Sequence, residues 1–193
     1  AVGLLAFGML LSELLRSRYG LRIGGVIVVP LVVLTAFRNA WMLPLWLATT
    51  ALAYAAVQIV HWWTLLYGRV LLALGVIVGL LGSISAATVV PVQQGLLPFF
   101  VGILGGVTGY NLHVLPPAER RANVFVTGGV LVVVAAVARL LVVPPDAGFL
   151  QHVSGVDVAL GTVACLPALY ELYHLERIRP REPVAAVPGD HGP

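Results

Sequence analysis

The sequence predicts an all-α polytopic membrane protein, a bundle of about seven transmembrane helices. Of its 193 residues, 60% are hydrophobic and only 10% are charged, whereas soluble domains carry about 25% charged residues. The charges are also widely spaced, since residues 39–68 and 70–118 contain none. Both segments exceed the ~20 residues that cross a bilayer as helix. Neither alternates in polarity like a barrel strand, so we expect helices.

Charged residues and turn residues divide the chain into candidate spans. The seven predicted spans are residues 1–15, 23–37, 41–60, 70–90, 95–115, 122–143 and 153–172. The second is short and contains Pro30, which predicts a tilted, kinked or re-entrant segment. Pro91–Gln94 predicts a tight turn between the fourth and fifth spans. We expect a transmembrane domain over residues 1–175 and a disordered cytoplasmic tail over residues 176–193, which are rich in proline, glycine and charge.

The arginines predict an orientation. All eleven basic residues are arginine, and if the spans alternate, only Arg38 and Arg139 fall on one side. The other nine are Arg16, Arg18, Arg22, Arg69, Arg120, Arg121, Arg177, Arg179 and Arg181. Because loops kept in the cytoplasm carry the excess of positive residues, we expect a multi-pass protein of the cytoplasmic membrane. Its amino terminus is expected outside and its carboxyl terminus in the cytoplasm.

Aromatic residues are expected at the two membrane surfaces, where their amphipathic rings are enriched. Trp41 and Trp46 fall near the predicted outer surface. Trp62, Trp63 and Tyr67 fall near the inner one. Both groups therefore agree with the orientation that the arginines indicate.

Glycines in the fourth and fifth spans predict close helix packing. Three Gly-x-x-x-Gly pairs are formed by Gly75, Gly79, Gly102, Gly105, Gly106 and Gly109. This spacing exposes backbone on one helix face, so that two helices can approach closely in lipid. We interpret the pairs as packing inside the bundle, with contact to a neighbouring subunit as the alternative.

No catalytic set, metal site or cofactor site is predicted. The chain has no lysine and therefore neither a Walker-type phosphate lysine nor a Schiff-base lysine. Its single cysteine, Cys165, rules out an internal disulfide. The arginines end apolar segments and form no soluble basic face, so we expect no nucleic-acid partner. Asn111 and His113, at the inner end of the fifth span, are candidate binding residues because polar groups in lipid are costly.

Two segments carry a resemblance to a known family. Leu15–Pro30 is a Gly-rich entry to an apolar run that ends in Val-Pro, and Leu65–Arg69 contains the Tyr-Gly-Arg step. With the spacing of the later spans, they resemble the PgsC/CapC family of poly-gamma-glutamate biosynthesis membrane proteins over Leu10–Leu141. The chain departs from the family at Pro30-Leu31, where a Pro-Gly pair is expected, and at Phe100–Gly106, where a second Val-Pro-Gly motif is expected.

The resemblance implies a subunit of a poly-gamma-glutamate (capsule) synthase that is not catalytic alone. Its implied partners are an ATP-dependent amide ligase, an extracytoplasmic or anchoring subunit, and the anionic polymer, whose export it would support. Arg16, Arg18, Arg22 and Arg69 are the candidate contacts with ligase or polymer, because clustered arginine attracts a chain of carboxylates. Arg69 lies in the family motif, whereas the first three also suit simple positive-inside anchors.

Two other functions compete with this interpretation. A small transporter or channel for an anionic solute would suit Asn111, His113 and the proline-containing spans. An intramembrane enzyme acting on lipid or carbonyl substrates is disfavoured because no acid and base pair can be assembled. Solute movement into liposomes by the purified protein alone would favour the transporter.

Overall fold

The computed structural model describes residues 2–21, 27–64, 66–89, 95–142, 145 and 148–178. These residues form seven helices: α1 (Val2–Tyr19), α2 (Val28–Arg38), α3 (Met42–Thr64), α4 (Arg69–Ala87), α5 (Leu97–Val114), α6 (Pro117–Leu141) and α7 (Gly155–Ile178). The all-α class is therefore confirmed. Five helices, α3 to α7, are long and apolar enough to cross a membrane. The predicted Pro91–Gln94 turn and residues 179–193 of the predicted tail lie outside the described residues.

Local signals explain several helix ends. Gly20, at a φ of 70°, ends α1, and its amide donates to the Arg16 carbonyl. Gly68 lies just before α4 at a φ of 66°, a backbone conformation that residues with a side chain rarely adopt. Ser154 and Asp157 exchange hydrogen bonds at the start of α7, as in a capping box.

The bundle consists of two groups of three helices joined by α2. The central trio is α3, α4 and α5, and each of its helices packs extensively against the other two. The flanking trio is α1, α6 and α7, held mainly by the α6–α7 and α1–α6 contacts. Direct helix–helix contact between the two trios is sparse among the described residues, and α2 contacts members of both.

Helix α2 is buried because it has no polar face. Val29 and Val33 pack into the core of the flanking trio. Val28 and Val32 pack into a second core with α3 and α5. A helix that is apolar all round is expected in such a position. Its 11 residues span only about 16 Å, which is half the thickness of the hydrocarbon core of a bilayer.

The glycines of the central trio lie where helices meet. A Cβ atom on Gly106 would come within 2.6 Å of the Val76 Cα atom on α4. One on Gly109 would come within 2.8 Å of the Tyr54 backbone nitrogen on α3. A Cβ atom on Gly79, Gly102 or Gly105 would meet similar clashes, and one on Gly75 would lie 3.0 Å from the Gly106 carbonyl oxygen. Backbone-to-backbone contact therefore holds α3, α4 and α5 together.

The expectation for Trp46 is wrong. Its side chain is only 4% exposed and lies in the core shared by α2, α3 and α5. Trp41, in the preceding turn, is 53% exposed, as expected for a residue at a membrane surface. The difference arises because α2 covers the face of α3 that carries Trp46.

Candidate functional site at the arginine end

Polar side chains concentrate at one end of the bundle. Here α1, α3, α5 and α7 end while α4 and α6 begin, and we call this the arginine end. Among the described residues, its arginines are Arg16, Arg18, Arg69, Arg120, Arg121 and Arg177, whereas Arg38 and Arg139 end α2 and α6. The helix ends therefore segregate positive charge as the sequence indicates.

Ion pairs tie the flanking trio at this end. Arg18 Nη2 lies 2.5 Å from Glu176 Oε1, joining α1 to α7. Arg121 Nε lies 2.8 Å from Glu171 Oε1, joining α6 to α7. Glu171 is 7% exposed, and a carboxylate buried this deeply needs such a partner. Arg16 lies 3.6 Å from Glu13 one turn earlier on α1, the pairing that its spacing predicts.

A second polar cluster lies between α3 and α5. His113 Nδ1 lies 2.9 Å from Gln58 Oε1. The His61 ring meets His113 and Tyr67 edge-on, both at 4.9 Å between ring centroids. His61 Nδ1 lies 2.9 Å from the Leu66 carbonyl oxygen, so this nitrogen carries the proton. The cluster fixes the turn between α3 and α4 against the end of α5.

Arg120 connects the two trios at the arginine end. Its guanidinium donates to the Tyr54 hydroxyl on α3 at 3.1 Å and to the His113 carbonyl on α5 at 3.0 Å. Its Nε donates to the Leu115 carbonyl at 2.9 Å. All three acceptors are neutral oxygens, so these bonds do not neutralise the positive charge of Arg120.

Arg69, like Arg177, differs from the other described arginines at this end. It is exposed, and within the described structure its guanidinium has no hydrogen bond or ion pair. The whole segment 39–118 contains no other ionised residue. Exposed aromatics precede it in the chain: Trp62, Trp63 and Tyr67 are 84%, 82% and 68% exposed. Arg69 is therefore open to an outside anion.

The structure distributes the predicted site residues over both trios. Arg16 and Arg18 end α1, Arg69 begins α4, and Asn111 and His113 lie half-buried in the last turns of α5. Arg22 lies outside the described residues. No described hydrogen bond or ion pair links Arg69 to the α1 arginines.

Sequence reasoning missed three polar residues of α3. Tyr54, Gln58 and His61 lie four and three residues apart and share one face of α3. A polar stripe at helical spacing inside an apolar span was the signal that could have found them. The same reasoning used Arg120 only as a topological marker.

Comparison with known protein families finds a match over residues 7–139 to the model of the family described as capsule biosynthesis CapC. The chain belongs to the CapC family. The predicted resemblance over Leu10–Leu141 is thus confirmed. CapC membership gives the chain a role in capsule biosynthesis, and its long apolar helices indicate a membrane protein. No curated protein and no solved structure matches the chain.

The CapC match begins within α1 and ends within α6. It therefore includes the predicted residues Arg16, Arg18 and Arg69 and the α3–α5 polar cluster. It excludes α7, which supplies Glu171 and Glu176. The carboxylates that pair with Arg121 and Arg18 thus come from outside the CapC region.

Proposed function

We propose that this chain is the integral membrane subunit of a poly-gamma-glutamate (capsule) synthase, with its arginine end in the cytoplasm. There it meets an ATP-dependent amide ligase and the growing anionic polymer, and it supports assembly of the complex and passage of the polymer outward. An extracytoplasmic or anchoring subunit completes the complex on the other side of the cytoplasmic membrane. The CapC match supports the capsule role.

The observation that carries the proposal is the exposed Arg69. A polyglutamate chain bears a carboxylate on every residue, and a planar guanidinium with free donors binds carboxylates well. Arg18 and Arg121 already have carboxylate partners. Arg69 is described with none, and it lies in the CapC region. The flanking aromatics supply apolar area to a partner protein at the same surface.

Replacing Arg69 with alanine is expected to lower polymer output about tenfold per inserted protein, since a hydrogen bond to a charged group contributes about 1.5–3 kcal/mol. The measurement is polymer released or displayed by cells that depend on this chain, divided by the amount of chain in the membrane fraction. Arg177→Ala is the matched control: Arg177 is also exposed at the arginine end, but it lies outside the CapC match.

A role of Arg69 in topology alone predicts a different result for polymer output. If positive charge at this end only sets orientation, Arg69→Ala and Arg177→Ala have equal and small effects on output, and the proposed role of Arg69 is wrong. Arg69→Lys separates charge from geometry, because lysine keeps the charge but cannot form the bidentate contact. We expect it to restore only part of the output.

Cysteine labelling tests the proposed orientation. In a Cys165→Ser background, His152→Cys lies beside the start of α7, at the opposite end, and Tyr67→Cys lies at the arginine end. Both side chains are exposed. A membrane-impermeant maleimide added to intact cells is expected to label residue 152, and residue 67 only after permeabilisation. The reverse pattern would place the arginine end outside.

A further inference from the structure

The seam between the two trios opens into an elongated groove near the arginine end. The groove has a volume of about 480 Å³ and lies between α3, α5 and α6. Its walls are apolar, formed by Leu47, Ala51, Leu112, Val124 and Phe125. On α3 the lining extends from Leu47 to Tyr54, which corresponds to about 10 Å along the helix axis.

Arg120 and Arg121 are the groove's lining residues where α6 begins, and no carboxylate is among its described lining residues. Arg120 donates only to neutral oxygens. The side chain of Arg121 stays 70% exposed although its Nε meets Glu171, so its guanidinium is open to a second anion. This end of the groove is therefore electropositive, and it lies where an apolar span meets the membrane surface, at the level of lipid phosphates.

We infer that this groove binds one anionic glycerophospholipid. Its phosphate lies against Arg120 and Arg121, and one acyl chain follows the apolar wall toward Leu47. The polyglutamate chain is not the occupant, because it has carboxylates but no acyl chain to cover the apolar wall. The lipid fills the space between the trios where they make little contact with each other.

The test is competitive binding to the purified full chain, measured by native mass spectrometry. The delipidated protein receives equal amounts of phosphatidylglycerol and phosphatidylcholine with identical acyl chains. We expect about thirtyfold preference for the anionic lipid, since the two arginines near the surface contribute about 1 kcal/mol each. Equal retention of the two lipids would overturn the inference, as would displacement of the bound lipid by millimolar inorganic phosphate.

Two variants separate the apolar wall from the charged end. Ala51→Trp fills the groove without changing charge and is expected to abolish retention of both lipids. Ala48→Trp is its control, because Ala48 is exposed on the same helix outside the groove lining. Arg121→Gln is expected to lower the preference about fivefold while lipid is still retained. Wild-type retention in Ala51→Trp would exclude the groove as the binding site.

Discussion

Replacing Gly106 with alanine is expected to destabilise the central trio by about 1–3 kcal/mol, the usual cost of overpacking a tight interface. The new Cβ would meet the Gly75 carbonyl oxygen and, at 2.6 Å, the Val76 Cα atom. Both are backbone atoms, which cannot rotate away as the end of a flexible side chain can. The α4 and α5 helices must therefore separate, and α3, which packs on both, loses contact with them.

Gly128→Ala is the matched control for this prediction. Gly128 also lies inside a helix, but a Cβ there would meet nothing within 4 Å. Since alanine is the better helix former by about 0.5–1 kcal/mol, this variant is expected to be neutral or slightly more stable. Thermal unfolding in detergent measures both variants. Equal midpoints for the two would show that the glycine contacts do not hold the trio together.

Replacing Arg120 with methionine is the second change with a large expected effect. Methionine fills similar space but has no donors, so the Tyr54 hydroxyl and the His113 and Leu115 carbonyls lose their charged partner. We expect a loss of about 3 kcal/mol, because removing one member of a partly buried polar network leaves the others unsatisfied. The loss of stability is expected at the junction of the two trios, where few other contacts exist.

Tyr54→Phe serves as the comparison for Arg120→Met. It removes a single hydrogen bond of the network and is expected to cost about 1 kcal/mol. Arg120→Lys keeps the charge but loses the fork geometry, so it should recover less than half of the lost stability. Stability of Arg120→Met equal to that of Tyr54→Phe would mean that the two carbonyl contacts contribute nothing. The free energies of unfolding of these variants are measured in detergent at matched lipid content.

The helices could be predicted because hydrocarbon imposes a simple rule. Charge-free apolar segments longer than a bilayer must be helical, so α3, α4 and α5 follow from the spacing of Arg69 and its nearest charged neighbours. Pro30 and the short second segment likewise anticipated the short α2. The burial of Trp46 could not be predicted, because the enrichment of tryptophan at membrane surfaces suggests a side chain that faces lipid. Which face of α3 is covered by α2 depends on tertiary packing.

The candidate site was predictable only in part. Asn111, His113 and Arg69 stand out as polar groups at the borders of apolar spans. The role of Arg120 depends on the approach of α6 to Tyr54, more than sixty residues earlier in the chain. The carboxylate of Glu171 is buried only because α7 lies on α6. Long-range contacts of this kind leave no local pattern in the sequence.

The arrangement of the trios also orders events during synthesis. The three helices of the central trio are consecutive, so they can assemble as soon as Val114 has left the ribosome, with only short loops to close. Helices α1 and α2 emerge earlier, yet the core that buries Leu4 and Val29 needs α6. The nascent chain can therefore complete its middle first. Helix α1 and the face of α2 that carries Val29 complete their packing only after α6 is made.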